Sequence, residues 1–312
     1  MCAMFLAACG QSESAAQEQA VSAAQVTSVD ELLDEIETDA EDGVQTFAAP
    51  ITNSNPIVCT GVLKQGGLVL CQTFPDALVT IGDQQTLADE KGLVVLGFDR
   101  DAPKMETVTV SIHNTGVKTL KLNLAPREYA ISRIDGLPPS QVTPRTEAQI
   151  KHIQASTARK NKGFSSREQT MWFKDGFTYP LKTFTKTSPF GARRILNGEK
   201  KRPHYGVDIA APVGTPIYAP ADGVISLADD DLYFEGAMVL VDHGQGLISM
   251  YLHMSAIDVE PGQVVKRGDK LGEVGSRGRS TGPHLCWRLK WRNRHLDPEL
   301  LTKWPSHEHA ND

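Results

Sequence analysis

The chain has 312 residues, a formal net charge of −6, 40% hydrophobic and 6% aromatic side chains, with 26 Gly and 18 Pro. That length suits about two domains, and the composition can bury a core while demanding many turns, which excludes a wholly disordered chain. No apolar run approaches the ~18 residues that a membrane-crossing helix needs. The charge is unevenly spread. Residues 1–63 carry ten acidic side chains and no Lys or Arg, so 32 basic face 28 acidic residues over the remainder, and eleven basic face three acidic between Lys160 and Tyr205. This local excess predicts an anionic partner near the start of the last domain. Without interleaved aromatics it does not suit nucleic acid.

In chain order, residues 1–9 are short and apolar, and Leu6-Ala7-Ala8-Cys9 resembles the lipobox of bacterial lipoproteins, whose cysteine is lipidated and becomes the mature N-terminus. Eight residues precede Cys9 and none is basic, short of the usual basic region and apolar stretch of an export signal. A start upstream of Met1 is therefore expected. Cys2 belongs to the same signal region. Residues 10–47 form an acidic, flexible spacer, in which Val29, Leu32, Leu33 and Ile36 have the spacing of one short amphipathic helix.

Residues 48–140 show short apolar runs divided by Gly, Asn and Asp, as expected of a small β-sandwich. Within it Cys59 and Cys71 flank two apolar runs around Lys64-Gln65-Gly66-Gly67, a hairpin signal. Pairing centred on Gln65 sets position 59 opposite 71, close enough for a disulfide. Two buried free thiols are the alternative. Residues 141–176 form a helical linker, with Thr146 as N-cap of a helix free of Gly and Pro as far as Lys160. Strand-like runs separated by Gly-rich turns resume over residues 177–303, and 304–312 form a tail. The chain reads as mainly β throughout.

Three pieces of the last domain carry chemistry: His204-Tyr205-Gly206-Val207-Asp208, Tyr251-Leu252-His253, and Thr281-Gly282-Pro283-His284-Leu285-Cys286. Offsets of two and four along a strand fall on one face, so His204 with Asp208, and His284 with Cys286, each present two potential metal ligands to the same side. Imidazole, carboxylate and thiolate are all zinc ligands, and three of them leave a position open for catalysis. Additional histidines suit proton transfer and oxyanion stabilisation. Taken singly, each piece is more often a surface or hydrogen-bonded core feature. Their joint occurrence in one domain is the signal.

Residues 177–303 resemble the lysostaphin/LytM-type zinc metallopeptidases of bacterial cell walls. The resemblance runs through Ser188-Pro189-Phe190-Gly191, Arg194, Asn197-Gly198, His204 with Asp208, Asp242-His243-Gly244, Tyr251-Leu252-His253 and Ser280-Thr281-Gly282-Pro283-His284. Gln65-Gly66-Gly67-Leu68-Val69 and Arg133-Ile134-Asp135-Gly136-Leu137 are similar to the β-rich N-terminal domain of Gram-negative members. The resemblance implies a LytM-like β-rich peptidase domain, Zn2+ held by His204 and Asp208, catalytic roles for His253 and His284, and substrate contacts from Arg194, Asn197 and Tyr251. Where the family has its third ligand, the second His of a His-x-His motif, this chain has Cys286. His243 reads as structural, and His295, His307 and His309 as solvated.

The leading reading is a periplasmic zinc endopeptidase, anchored to a membrane by lipid on Cys9, that hydrolyses peptide cross-links between peptidoglycan stem peptides. The alternative is a catalytically degenerate LytM-like domain that binds and activates a cell-wall amidase. Ala221–Ile225 and Val259–Leu271 also resemble the hairpins of lipoyl carriers, but no lysine sits in a matching tip, so that likeness is one of fold.

Overall fold

The computed structural model describes residues 51–304, except 53, 113–115, 144 and 145. The expectations for Cys2, Cys9, the acidic spacer, His307 and His309 lie outside the described residues. The N-terminal region contains β1 (Ile57–Gly61), β2 (Leu68–Thr73), β3 (Leu78–Ile81), β4 (Gln84–Leu87), β5 (Leu93–Gly97), β6 (Met105–Ile112), β7 (Gly116–Asn123) and β8 (Ile131–Ile134). They form a three-stranded sheet β1-β2-β5 and a four-stranded sheet β4-β3-β6-β7, while β8 joins a later sheet. Burial alternates along β6, with Glu106, Val108 and Val110 inward, the period of a strand with one face on a core. The expected hairpin is present. Cys59 stands opposite Cys71 in the β1–β2 register, and the two are joined in a disulfide.

A short helix α1 (Pro139–Val142) precedes α2 (Glu147–Phe164). Thr146 caps α2 through a capping box, in which its side chain accepts from Gln149 N and Gln149 returns a bond to the Thr146 backbone. The helix continues through Gly163, beyond the expected stretch. A Cβ at Gly163 would lie 2.8 Å from Leu240 Cδ1 and 3.0 Å from Leu227 Cβ. Close packing on a sheet thus selects glycine at a position where propensity disfavours it.

The C-terminal region runs through β9 (Thr185–Ser188), β10 (Arg193–Leu196), β11 (Glu199–Lys201), β12 (Gly206–Ala210), β13 (Pro216–Tyr218), β14 (Gly223–Leu232) and β15 (Gly236–Asp242). It continues through β16 (Leu247–Met254), β17 (Ala256–Ile257), β18 (Val264–Val265), β19 (Lys270–Glu273), β20 (His284–Trp291) and β21 (Arg294–Leu296), and ends in α3 (Pro298–Leu301). The main sheet has the order β18-β14-β15-β16-β20-β12-β9, with β21 paired to β20. Both of its faces are covered. Val239, Val241, Tyr251, Leu285, Trp287 and Leu289 face one continuous core that also includes Ile57, Val95 and Phe98 of the N-terminal region. Met238, Leu240, Met250, Leu252 and Cys286 face the opposite side, where Phe164 of α2 packs.

Buried polar contacts join the N- and C-terminal β regions. Val95 N donates to Gln245 Oε1 at 3.0 Å, and the Arg294 guanidinium donates to Gly97 O and Ile81 O, each at 3.0 Å. The parallel pair β8–β10 adds a backbone connection between them.

Candidate active site and metal centre

The site lies on the face of the main sheet that α2 partly covers. Antiparallel pairing of β12 and β20 sets Asp208 opposite Cys286, so the two side chains leave the sheet on the same side. His204 precedes β12 and is fixed by its backbone, which donates to Ala192 O at 2.8 Å and accepts from Gly191 N at 2.7 Å. Its ring, fully buried, turns Nε2 toward both partners, 3.0 Å from Asp208 Oδ1 and 3.2 Å from Cys286 Sγ. His204 Nδ1 lies 3.1 Å from Ser188 Oγ on β9, an outer contact that can fix the tautomer with Nε2 free to ligate.

One atom of each of His204, Asp208 and Cys286 falls within 4.8 Å of the others. Donors about 2.1 Å from a tetrahedral ion stand roughly 3.4 Å apart, so the observed spacing fits a metal. Asp208 Oδ1 is buried and makes no well-aligned hydrogen bond, an arrangement that costs stability unless a cation or proton occupies it. Asp208 Oδ2 accepts from Arg194 at 3.2 Å. Burial pushes the Asp208 carboxyl up, but His204 and Arg194 outweigh it and hold the group below the ordinary carboxylate range. The donor set therefore contains an ionised carboxylate in a form that can ligate.

His253 and His284 complete the constellation, with ring centroids 4.9 Å apart. His284 shares β20 with Cys286, two residues away, and its Nε2 lies 3.8 Å from Asp208 Oδ1. His253 arrives by a different device. In the β15–β16 ladder Ala237 pairs with Met254 and Met238 with Leu252, so His253 is the extra residue of a bulge, with φ of 68°. The bulge turns its ring to the side of Leu252 and Cys286, where strict alternation would send it into the opposite core. Each ring has its Nδ1 beside a carbonyl, His253 at 2.8 Å from Arg277 O and His284 at 2.8 Å from Gly282 O. A carbonyl only accepts, so Nδ1 carries the proton and Nε2 is left basic. Burial lowers His253 to about 4 and also lowers His284, with Asp208 opposing. Both rings are therefore neutral near pH 7.

Other expected residues stand elsewhere. Tyr251 is fully buried, its hydroxyl 2.8 Å from Ser249 Oγ, and it faces the large core, so the expected substrate contact is corrected to a packing role. Asn197 accepts from Leu137 N at 3.1 Å and donates to Leu137 O at 2.7 Å. Its amide clamps a loop and does not reach the site. Arg194 does reach it, through Asp208. His243 is structural, lying 2.6 Å from Asp222 O and 2.7 Å from Ser249 Oγ. His295 is not solvated, since its ring stacks on Tyr205 at 4.0 Å and its Nδ1 is buried. The sequence reading missed Arg288, whose Nε donates to Cys286 Sγ at 3.2 Å. The alternation of His284, Cys286 and Arg288 along one strand is the signal that would have found it.

The peptidase family M23 model matches residues 202–298. Similar proteins include peptidoglycan DD-endopeptidase ShyA of Vibrio cholerae, 42% identical over 109 residues, covering 35% of this chain and 25% of that protein. DD-carboxypeptidase/endopeptidase Mpg of Neisseria meningitidis is 39% identical over 126 residues, covering 40% and 29%. The chain thus spans between about a quarter and two fifths of the length of the curated relatives it matches. A crystal structure from Pseudomonas aeruginosa bearing the peptidase M23 name superposes with a TM-score of 0.59 at 28% identity, over 77% of this chain and 95% of that one. Residues 202–298, with the convergent His204, Asp208 and Cys286 and the neighbouring His253 and His284, are therefore a peptidase family M23 domain, homologous to peptidoglycan DD-endopeptidases.

Proposed function

We propose that the chain is a zinc endopeptidase that hydrolyses peptide cross-links of peptidoglycan. The observation that carries this reading is the convergence of three ligand-type side chains with two neutral histidines on one sheet face. His204, Asp208 and Cys286 would hold the ion. When bound, zinc supplies Lewis acidity that polarises a peptide carbonyl and acidifies water.

The protein's own groups account for the proton movements. With Nδ1–H donating to Gly282 O, His284 offers Nε2 to take a proton from an attacking water. Asp208 beside it stabilises the imidazolium that results. His253, held by Arg277 O, offers a second Nε2 at which a proton can be held, and once protonated it donates to a developing oxyanion or to the departing amine. Burial of His253 keeps its ring neutral until that moment. A thiolate as the third ligand would donate more charge to the ion than the imidazole the family carries there, which would weaken its Lewis acidity and slow turnover.

We further propose that the protein is exported to the periplasm and anchored by lipid on Cys9. The Cys59–Cys71 disulfide supports an oxidising compartment. In sacculi incubated with zinc-loaded protein and then digested with a muramidase, cross-linked muropeptide dimers should be converted to monomers, and His284→Ala should keep zinc while losing cleavage. An unchanged muropeptide profile together with stimulation of a cell-wall amidase would instead support a regulatory role.

A further inference from the structure

Each of the three ligand-type side chains has a partner outside the triad. His204 Nδ1 lies 3.1 Å from Ser188 Oγ, Asp208 Oδ2 accepts from Arg194 at 3.2 Å, and Cys286 Sγ accepts from Arg288 Nε at 3.2 Å. The two ligands that are anionic when bound to a metal are thus the two that meet a guanidinium.

The sheet places Arg288 for this contact. It follows Cys286 by two residues on β20, so both side chains leave on the same face. Arg288 stands opposite Gly206 of β12 and Met250 of β16. A Cβ at Gly206 would overlap Arg288 Cγ and lie 3.4 Å from its Cδ. Glycine at 206 therefore leaves room for the aliphatic stem to pass over β12 while Nε reaches the sulfur. Among the described residues the Arg288 guanidinium has no ion pair within 4.0 Å, and the nearby carboxylate Glu235 is engaged by Lys160 of α2.

Formal charge shows why an arginine suits this place. A divalent ion held by one carboxylate and two imidazoles, the set that the resemblance implies, keeps a single net positive charge. A metal-bound thiol is deprotonated, so Cys286 in place of the second imidazole brings the centre to neutrality. The guanidinium at the sulfur returns the missing charge one bond further out, and hydrogen bonds to a metal-bound sulfur tune the electronics of the site. We propose that Arg288 is a positioning residue of the metal centre, whose Nε–H holds Cys286 Sγ in place and offsets the charge that the thiolate gives to the ion. Cys286 and Arg288 together then do what one imidazole does in the family's ligand set. The inference rests on the peptidase reading and deepens it, since it says how a ligand set containing Cys286 retains Lewis acidity.

Cobalt(II) in place of zinc tests the proposal at the sulfur itself. A thiolate bound to cobalt gives a near-ultraviolet charge-transfer band, and a hydrogen bond to the sulfur raises its energy by stabilising the donor electrons. In the full chain, Arg288→Met should move that band to longer wavelength. It should also weaken zinc binding about 10–100-fold, read by competition with a chromophoric chelator. Introduced beside Cys286→His, where no thiolate remains to be offset, the same substitution should not weaken zinc binding. Zinc held by that double variant also shows that a chain carrying Arg288→Met folds. Absence of a charge-transfer band in the wild type overturns the proposal, as does a band that stays in place in Arg288→Met, or an effect on zinc affinity that is the same in both backgrounds. Muropeptide analysis on the same preparations separates the two readings. A band that shifts in a chain that never cleaves counts against the peptidase alone, and cleavage by a chain whose band does not shift counts against the role of Arg288 alone.

Discussion

Cys286→Ser is the sharpest perturbation of the site, because it exchanges the cysteine sulfur for a hydroxyl at a buried position 3.2 Å from His204 Nε2. Loss of an outer-shell partner alone weakens metal binding about 10–100-fold, so loss of a direct ligand should reach at least ~100-fold. Ligand linkage converts that into stability. At zinc about 100 times the wild-type Kd the native state gains about 2.7 kcal/mol, whereas a variant binding ~100-fold more weakly gains only about 0.4 kcal/mol. For a folded region of this size about 2–4 °C accompany each kcal/mol, so the wild type should gain roughly 5–11 °C in Tm and Cys286→Ser roughly 1–2 °C. In chelator the two proteins should differ by no more than ~1 kcal/mol, since the serine hydroxyl can still accept from Arg288. Differential scanning calorimetry with and without zinc reads both quantities. A full zinc-dependent shift in Cys286→Ser would show that the thiol is not a ligand and that the spacing of the triad is incidental.

The remaining predictions concern the framework. Gly163→Ala should destabilise the protein by about 1–3 kcal/mol in urea unfolding through overpacking against Leu240 and Leu227, although alanine is the better helix former; a stabilised variant would show that α2 is not closely docked. Arg294→Met should cost about 3–5 kcal/mol, because it leaves Glu106 buried without its partner 3.3 Å away, and adding Glu106→Gln should restore part of the loss in the same assay. His243 is lowered by burial from 6.5 to about 4, so the unfolded state binds its proton first. Its contribution, about 3 kcal/mol by linkage, is fully present above about pH 6.5 and is lost as pH falls toward about 4. Urea midpoints between those values should fall less steeply in His243→Gln, and parallel slopes would refute the assignment.

Several features are legible in the sequence because they are local. The β1–β2 register follows from apolar runs around Gly66-Gly67, which places Cys59 opposite Cys71 without knowledge of the rest of the fold. The start of α2 follows from the Thr146 capping box, whose bonds span three residues. The face shared by His284 and Cys286 follows from the two-residue period of β20. Tertiary structure decided the rest. The end of α2 passes Gly163 because a distant strand pair, not propensity, chooses the residue there. His253 reaches the site through a bulge that exists only once β15 and β16 pair, and no offset along the chain predicts it. Tyr251, expected from the resemblance to touch substrate, is enclosed by the core, and His295, expected to be solvated, stacks on Tyr205. Arg194, Arg202, Arg279 and Lys290, from four separate segments, line one cavity beside the site. Periodicity and turn chemistry act over a few residues and survive in a linear reading. The choice of which faces meet is made by pairing and packing between segments far apart in the chain.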